Sequence, residues 1–115
     1  MKYAVERASD ADRDLALIFD FLTESYRAFG EDEGAAFERA ATRLRAIEAD
    51  MQSLGNAPHQ GTLRPDLLPG LRSVTKNRTI FYFDVDDDRR TVRVLAVFFG
   101  AQDHRRHMLK RLLGG

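Results

Sequence analysis

The sequence predicts an α+β fold whose elements follow the order β-α-α-β-β-β-α. Two long segments in the first half carry apolar residues at helical spacing, and three segments in the second half are rich in aromatic and β-branched residues. The chain has 115 residues, which fits one domain with its own hydrophobic core over residues 1–115. We therefore expect a mainly antiparallel sheet with an N-terminal helical hairpin packed on one of its faces.

The first half predicts a short strand followed by two helices. The alternating pattern of residues 3–8 favours a strand. Ser9 predicts the N-cap of the first helix, and Gly30 predicts its C-terminal end. The second helix follows the acidic residues 31–33 and keeps helical apolar spacing up to Leu54. The short connection between the two apolar stripes predicts an antiparallel helical hairpin.

The second half predicts a loop, three strands and a closing helix. Proline and glycine interrupt residues 55–70, and loops of this length are often functional. The acidic and basic residues 86–90 predict a solvated hairpin turn between the last two strands. Asp103 predicts the cap of a basic helix over residues 103–113. The predicted strands are residues 71–75, 80–85 and 92–99.

The composition excludes several classes of protein. There is no cysteine, so the chain forms no disulfide and holds no thiolate-bound metal. No apolar run approaches the roughly 20 residues of a membrane helix, and there is no secretory signal, so we expect a cytoplasmic protein without a membrane partner. Residues 1–54 hold 12 acidic and 7 basic residues (net −5), and residues 55–115 hold 6 and 11 (net +5). A basic C-terminal half suits contact with nucleic acid or an acidic protein segment, unless the two halves interleave in the fold.

Three segments of the second half form a series with a particular order and spacing. Gly70-Leu71-Arg72-Ser73 opens a strand, Ile80-Phe81-Tyr82 lies in the next strand, and residues 92–103 end in Gly100-Ala101-Gln102-Asp103. Together with the first strand and the helical hairpin, this series resembles the RelE/ParE family of toxins. The resemblance implies the toxin component of a type II toxin–antitoxin module, of the kind that stabilises plasmids or arrests growth. It also implies a hetero-oligomer with a cognate antitoxin, which would lie across the helical hairpin and the sheet.

The resemblance implies one of two activities, and the residues favour one of them. RelE-like members cleave mRNA on the ribosome, whereas ParE-like members inhibit DNA gyrase. RNA cleavage without a metal needs a base, an acid and cations for the phosphorane charge. The chain has three lysines and a net charge of zero, and it carries Phe99 where the family often has a histidine. We therefore favour a ParE-like gyrase inhibitor that is not an enzyme and needs no cofactor. An mRNA endonuclease, or a non-toxic binding module with the same fold, stays open.

The closing helix supplies the candidate residues for catalysis and for target contact. His104 and His107 are weak catalytic candidates, and the favoured interpretation is a pair of surface histidines. Two histidines without a third ligand nearby are too few for a typical metal site, so we expect no bound metal. The basic residues of this helix form the predicted target-binding patch: Arg105, Arg106, Lys110 and Arg111.

The antitoxin-binding candidates lie elsewhere in the chain. Leu17 and Phe21 extend the apolar surface of the first helix and offer a groove to a partner. We expect no role for His59, and Asp86-Asp87-Asp88 lacks the ligand spacing of a calcium loop. Three arginines near the strands either anchor an acidic antitoxin segment or face solvent: Arg72, Arg78 and Arg93.

Overall fold

The computed structural model describes residues 2–100 and 104–114, and at residues 104 and 105 it describes the backbone alone. It confirms the α+β class and the predicted element order, with one additional two-residue strand inside the loop of residues 55–70. The predicted cap Asp103 lies outside the described residues. The elements are β1 (Ala4–Arg7), α1 (Ser9–Ala28), α2 (Glu33–Gln52), a 3-10 turn (Ser53–Asn56), β2 (Thr62–Leu63), β3 (Arg72–Lys76), β4 (Thr79–Asp86), β5 (Thr91–Phe99) and α3 (His104–Leu112).

The strands form one five-stranded sheet in the order β1-β5-β4-β3-β2. The pairings β2–β3, β3–β4 and β4–β5 are antiparallel, which confirms a mainly antiparallel sheet. β1 is the exception, because it runs parallel to β5, from Ala4 opposite Thr91 to Arg7 opposite Val94. The chain passes through the helical hairpin and three further strands between β1 and β5, so no tight turn imposes an antiparallel pairing there.

The helix ends follow from local hydrogen bonding, and one of them differs from its prediction. Ser9 is the first residue of α1 rather than its N-cap, because the N–H of Ala8 donates to a β5 carbonyl at 2.9 Å and extends the sheet pairing up to the helix. The predicted end of α1 is confirmed, since Gly30 adopts the left-handed φ of +95° that commonly follows a helix. Asp32 caps α2 by accepting from the N–H of Ala35 at 2.8 Å.

Apolar side chains cover both faces of the sheet. The hairpin of α1 and α2 packs on one face, as predicted, and α3 packs on the other together with the loop before β3. No helix within residues 2–100 and 104–114 is both long enough and apolar enough to cross a membrane. The core under the hairpin includes Leu15, Ile18, Leu22, Ile47, Met51, Leu54, Phe81, Phe83, Val92, Val94 and Val97. The smaller cluster under α3 consists of Leu71, Ile80, Tyr82, Ala96, Phe98 and Met108.

Candidate functional site

A β-bulge decides which side chains of β5 face the helical hairpin. The ladder between β4 and β5 shifts after Tyr82, which leaves Leu95 without a residue opposite it. The extra residue reverses the alternation of the strand, since successive side chains point to opposite faces. Val92, Val94, Val97 and Phe99 therefore lie on the hairpin side, whereas Ala96 and Phe98 lie on the side of α3.

The C-terminal half of β5 has an edge that no strand covers in the described part of the chain. β1 pairs with β5 only as far as Val94, and α1 begins two residues after β1 ends. Beyond this point a groove of about 320 Å³ runs along the strand edge between α1 and α3. Apolar side chains form most of its lining: Leu17, Ile18, Phe21, Val97, Phe98 and Phe99.

A buried ion pair closes one end of this groove and attaches α3 to the sheet. Asp14 of α1 is only 4% exposed. Its Oδ2 accepts from the N–H of Val97 at 2.9 Å and from Nη1 of Arg111 at 2.7 Å, and its Oδ1 accepts from Nη2 of Arg111 at 2.7 Å. The bond to Asp14 is the main cause that raises the pKa of Arg111 above its ordinary value. The carboxylate of Asp14 thus accepts hydrogen bonds from one main-chain amide at the strand edge and from two guanidinium nitrogens.

The residues of the predicted target-binding patch do not form one exposed surface. Arg111 is committed to Asp14, whereas Arg106 and Lys110 are exposed on the outer side of α3. His107 is also exposed, and its ring lies 5.6 Å from that of Phe98. The side chains of His104 and Arg105 lie outside the described residues.

The first two antitoxin-binding candidates border the groove. Leu17 is 63% exposed and Phe21 is 59% exposed, although both are large apolar side chains. The ring of Phe21 lies 6.3 Å from that of Phe99, and the guanidinium of Arg43 lies 5.4 Å from the centre of the Phe99 ring. Exposed apolar side chains beside an uncovered strand edge are typical of a protein-binding surface.

The three candidate arginines lie apart from one another. Nη1 of Arg72 donates to the carbonyl of His59 at 2.7 Å, at the start of β3. Arg93 lies on the opposite side of the sheet, near Asp84. Burial raises the pKa of Asp84 above its ordinary value, and the charge of Arg93 offsets part of this increase. Arg78 lies in the turn between β3 and β4. The structure therefore does not gather these residues with Leu17 and Phe21 into one site.

The turn that carries Arg78 has a strained backbone conformation, which three hydrogen bonds support. Asn77 and Arg78 have φ values of +50° and +68°, as a two-residue hairpin turn of type I′ requires. Three contacts hold the turn: Arg43 donates to the Asn77 carbonyl at 2.6 Å, the Asn77 amide donates to Asp50 at 2.9 Å, and the Gly100 N–H donates to the Arg78 carbonyl at 3.0 Å. The guanidinium of Arg78 has no carboxylate partner among residues 2–100 and 104–114.

A second polar cluster, which the sequence did not predict, lies at the other end of β4 and β5. The hydroxyl of Tyr3 donates to Oδ1 of Asp87 at 2.8 Å, and Nε2 of His59 lies 2.8 Å from the same oxygen. These bonds, that of Tyr3 first, lower the pKa of Asp87, and the bond to Asp87 raises the pKa of Tyr3. Asp87 therefore joins three chain segments, and is more than a residue of a solvated turn. Partners 84 and 28 residues away leave no local pattern that could have predicted it.

Comparison with known proteins finds similarity among solved structures. No family model and no curated protein matches the sequence. A chain of the RelBE2 toxin–antitoxin complex of Mycobacterium tuberculosis has a TM-score of 0.62 at 21% identity, over 89% of this chain and 95% of that one. A chain of the chromosomal ParDE system of P. aeruginosa has a TM-score of 0.64 at 20% identity, over 87% and 98%. A mutant of the E. coli toxin RelE in the free state has a TM-score of 0.61 at 11% identity, over 99% and 97%.

This chain has the RelE/ParE toxin fold. The resemblance expected from the order of strands and helices is thereby confirmed at the level of the fold. Within the RelE/ParE fold, the groove beside β5 and the exposed side of α3 are the two surfaces on which the candidate residues concentrate. At the end of the last strand stands Phe99, which packs against Phe21 and Arg43 and cannot transfer a proton.

Proposed function

We propose that this chain is the toxin of a type II toxin–antitoxin module and that it acts by binding and inhibiting DNA gyrase. It functions as one toxin domain over residues 1–115, in the cytoplasm, and a cognate antitoxin neutralises it. The RelE/ParE toxin fold supports the toxin role, and two of the similar structures are toxin–antitoxin systems. The exposed apolar border of the groove, Leu17 and Phe21, supports a protein partner.

The separation of the two histidines whose side chains are described, His59 and His107, supports the choice of binding over catalysis. A general base and a general acid must both reach the same substrate. His59 contacts Asp87 near the turn between β4 and β5, whereas His107 contacts Phe98 at the far end of β5. These two sites lie at opposite ends of a nine-residue strand, roughly 25 Å apart at the usual rise per residue.

Supercoiling by purified gyrase tests the gyrase proposal. The wild-type chain should inhibit the reaction, and the double variant Arg106→Ala/Lys110→Ala should need roughly tenfold more protein, because it loses two exposed cations of α3. The matched control is Lys2→Ala/Arg89→Ala, which removes the same charge from exposed positions near the other end of the sheet. The absence of inhibition by a folded, antitoxin-free sample would count against gyrase as the target.

A ribosome-dependent mRNA endonuclease is the second candidate function. It is favoured by the exposed position of His107 beside the groove and near Lys110 on the same helix. Primer extension on translated message would then show cleavage, and His107→Ala or His104→Ala would lower it. If expression without an antitoxin proves harmless and neither assay responds, the chain is a non-toxic binding module.

The partner can be sought beside the chain's own reading frame. We expect a small acidic protein there, partly disordered when free, that binds this chain and restores growth when the two are expressed together. Failure of every neighbouring product to bind would contradict the toxin–antitoxin assignment.

A further inference from the structure

The formal net charge of zero conceals two ends of the sheet with opposite charge. At the opposite end from the turn between β4 and β5, the turn between β3 and β4 carries Lys76 and Arg78, and Arg43 of α2 donates to it. We call these three cations the basic turn. A cleft at the β4–β5 turn is lined by five carboxylates and two arginines: Glu6, Asp84, Asp86, Asp87, Asp88, Arg89 and Arg93. The molecule is therefore polarised along its strands, which orients it in the field of a charged partner.

The cations of the basic turn are not neutralised by carboxylates of the chain. No ion pair engages Arg43, Lys76 or Arg78 within residues 2–100 and 104–114. Asp50 contacts the turn, but its carboxylate accepts from the Asn77 amide at 2.9 Å and not from a cation. Like charges held close together repel one another, so an anion bound among them would be stabilised.

The backbone of the turn indicates that the side chain of Arg78 has a function. Glycine adopts a φ of +68° without strain, whereas arginine does so at a cost in free energy. Strained residues of this kind concentrate at functional sites. The bonds from Arg43 to the Asn77 carbonyl and from the Gly100 N–H to the Arg78 carbonyl support the conformation. The turn thus presents an exposed guanidinium from a defined backbone.

The surroundings of the basic turn favour a phosphate over an acidic peptide. The exposed large apolar side chains of the described residues lie on the helices, on β2 and in the loops, and none lies within residues 72–99. A bound peptide takes much of its affinity from buried apolar side chains, whereas a nucleic-acid backbone takes it from cations. Guanidinium groups also match the geometry of phosphate oxygens.

We propose that the basic turn binds the phosphate backbone of duplex DNA, so that this chain meets gyrase together with the DNA that gyrase holds. Arg43, Lys76 and Arg78 contact phosphates, and the acidic end of the sheet is directed away from the duplex. Phosphate contacts position a protein without reading sequence, so the binding is independent of sequence. Only the statement that the DNA is held by gyrase rests on the proposed function.

Fluorescence anisotropy with a short labelled DNA duplex and the chain alone measures this contact. Neutralising three phosphates releases their counterions, so the logarithm of the binding constant should fall with the logarithm of the salt concentration with a slope of roughly −2.7. No binding at about 50 mM salt, or a slope near zero, would overturn the proposal.

A double variant tests whether the basic turn makes the contact. Lys76→Gln/Arg78→Gly removes two of its cations, and glycine fits the φ of residue 78. It should bind the duplex at least about tenfold more weakly at low salt, with a slope of roughly −0.9. The matched control Lys2→Ala/Arg89→Ala removes the same charge near the acidic end and should bind like the wild-type chain. Equal losses in the two double variants would overturn the site.

Single-stranded RNA of the same length and the purified antitoxin test the competing occupants. Tighter binding of the RNA than of the duplex would overturn the assignment to duplex DNA. Loss of antitoxin binding in Lys76→Gln/Arg78→Gly, with duplex binding unchanged, would assign the basic turn to an acidic protein segment instead. Loss of duplex binding in this variant, with the duplex preferred to the RNA, is the result we expect.

The supercoiling assay separates the failure of this inference from the failure of the proposed function. If the wild-type chain inhibits gyrase but does not bind the duplex, the DNA site is wrong while the proposed function stands. If the chain binds the duplex with the expected slope but does not inhibit gyrase, the proposed function fails while the DNA site stands.

Discussion

Breaking the ion pair between Asp14 and Arg111 from one side should strongly destabilise this fold. Replacing Asp14 with alanine leaves the guanidinium of Arg111 without its bidentate partner and the N–H of Val97 without its acceptor. Breaking a fully buried pair from one side costs about 3–5 kcal/mol, and an unsatisfied buried donor costs about 1–3 kcal/mol. The side chain of Arg111 is 26% exposed and regains some hydration, so we expect a total loss of about 3 kcal/mol, less than the sum of those costs.

Urea denaturation followed by circular dichroism measures this loss. With a slope of about 1.5 kcal/mol per molar urea, the midpoint should fall by roughly 2 M in Asp14→Ala. Asp10→Ala is the control, because Asp10 is 45% exposed and lies 3.8 Å from Nε of Arg111, and it should cost less than about 0.5 kcal/mol.

A double-mutant cycle separates the pair from the rest of the site. Arg111→Met keeps an apolar stem on α3, and the cycle with Asp14→Ala should give a coupling energy of about 2 kcal/mol, since the residues share two hydrogen bonds. A loss below about 1 kcal/mol in Asp14→Ala, or a coupling near zero, would refute the reasoning that this pair attaches α3 to the sheet.

Three further predictions concern the strained turn, the Asp87 cluster and a close backbone approach. Arg78→Gly should raise the free energy of unfolding by about 1 kcal/mol, because glycine adopts φ of +68° without strain, and should weaken antitoxin binding in a titration. The lowered pKa of Asp87 stabilises the fold above the ordinary pKa of aspartate, and this contribution is lost as the pH falls through the lowered value. Asp87→Asn should therefore flatten the acid limb of a plot of stability against pH, and an unchanged limb would contradict the cluster. Gly55→Ala should destabilise by about 2 kcal/mol or more in urea, because its Cβ would lie 2.2 Å from the Tyr3 carbonyl oxygen, whereas Gly70→Ala, with nothing within 4 Å, should cost about 1 kcal/mol for its φ of +81° alone.

The elements of this fold could be predicted from the sequence where a single period governs a long segment. Apolar residues at helical spacing predicted both helices of the hairpin, α1 and α2. Aromatic and β-branched runs predicted β3, β4 and β5 to within two residues. β2 was missed because two residues carry no period. The bulge at Leu95 was missed because β5 is apolar on both faces. Its sequence therefore lacks the alternation of apolar and polar residues whose reversal would indicate a bulge.

The candidate site could be predicted less well, because its contacts join distant segments. The exposure of Leu17 and Phe21 could be predicted, because both lie outside the apolar stripe of α1 that packs in the core. Arg111 was assigned to a target-binding patch by composition alone, and its carboxylate partner lies 97 residues away. The support for a binding protein over a nuclease includes the distance between His59 and His107, which the sequence does not indicate.

Inhibition of purified gyrase by the antitoxin-free chain is the most direct measurement of the proposed activity. We expect a dose-dependent loss of supercoiling that added antitoxin reverses. The variant Arg106→Ala/Lys110→Ala should inhibit more weakly, and Lys2→Ala/Arg89→Ala should inhibit like the wild-type chain. Unimpaired supercoiling, together with cleavage of translated mRNA that His107→Ala abolishes, would contradict it and assign the chain to the ribosome-dependent nucleases.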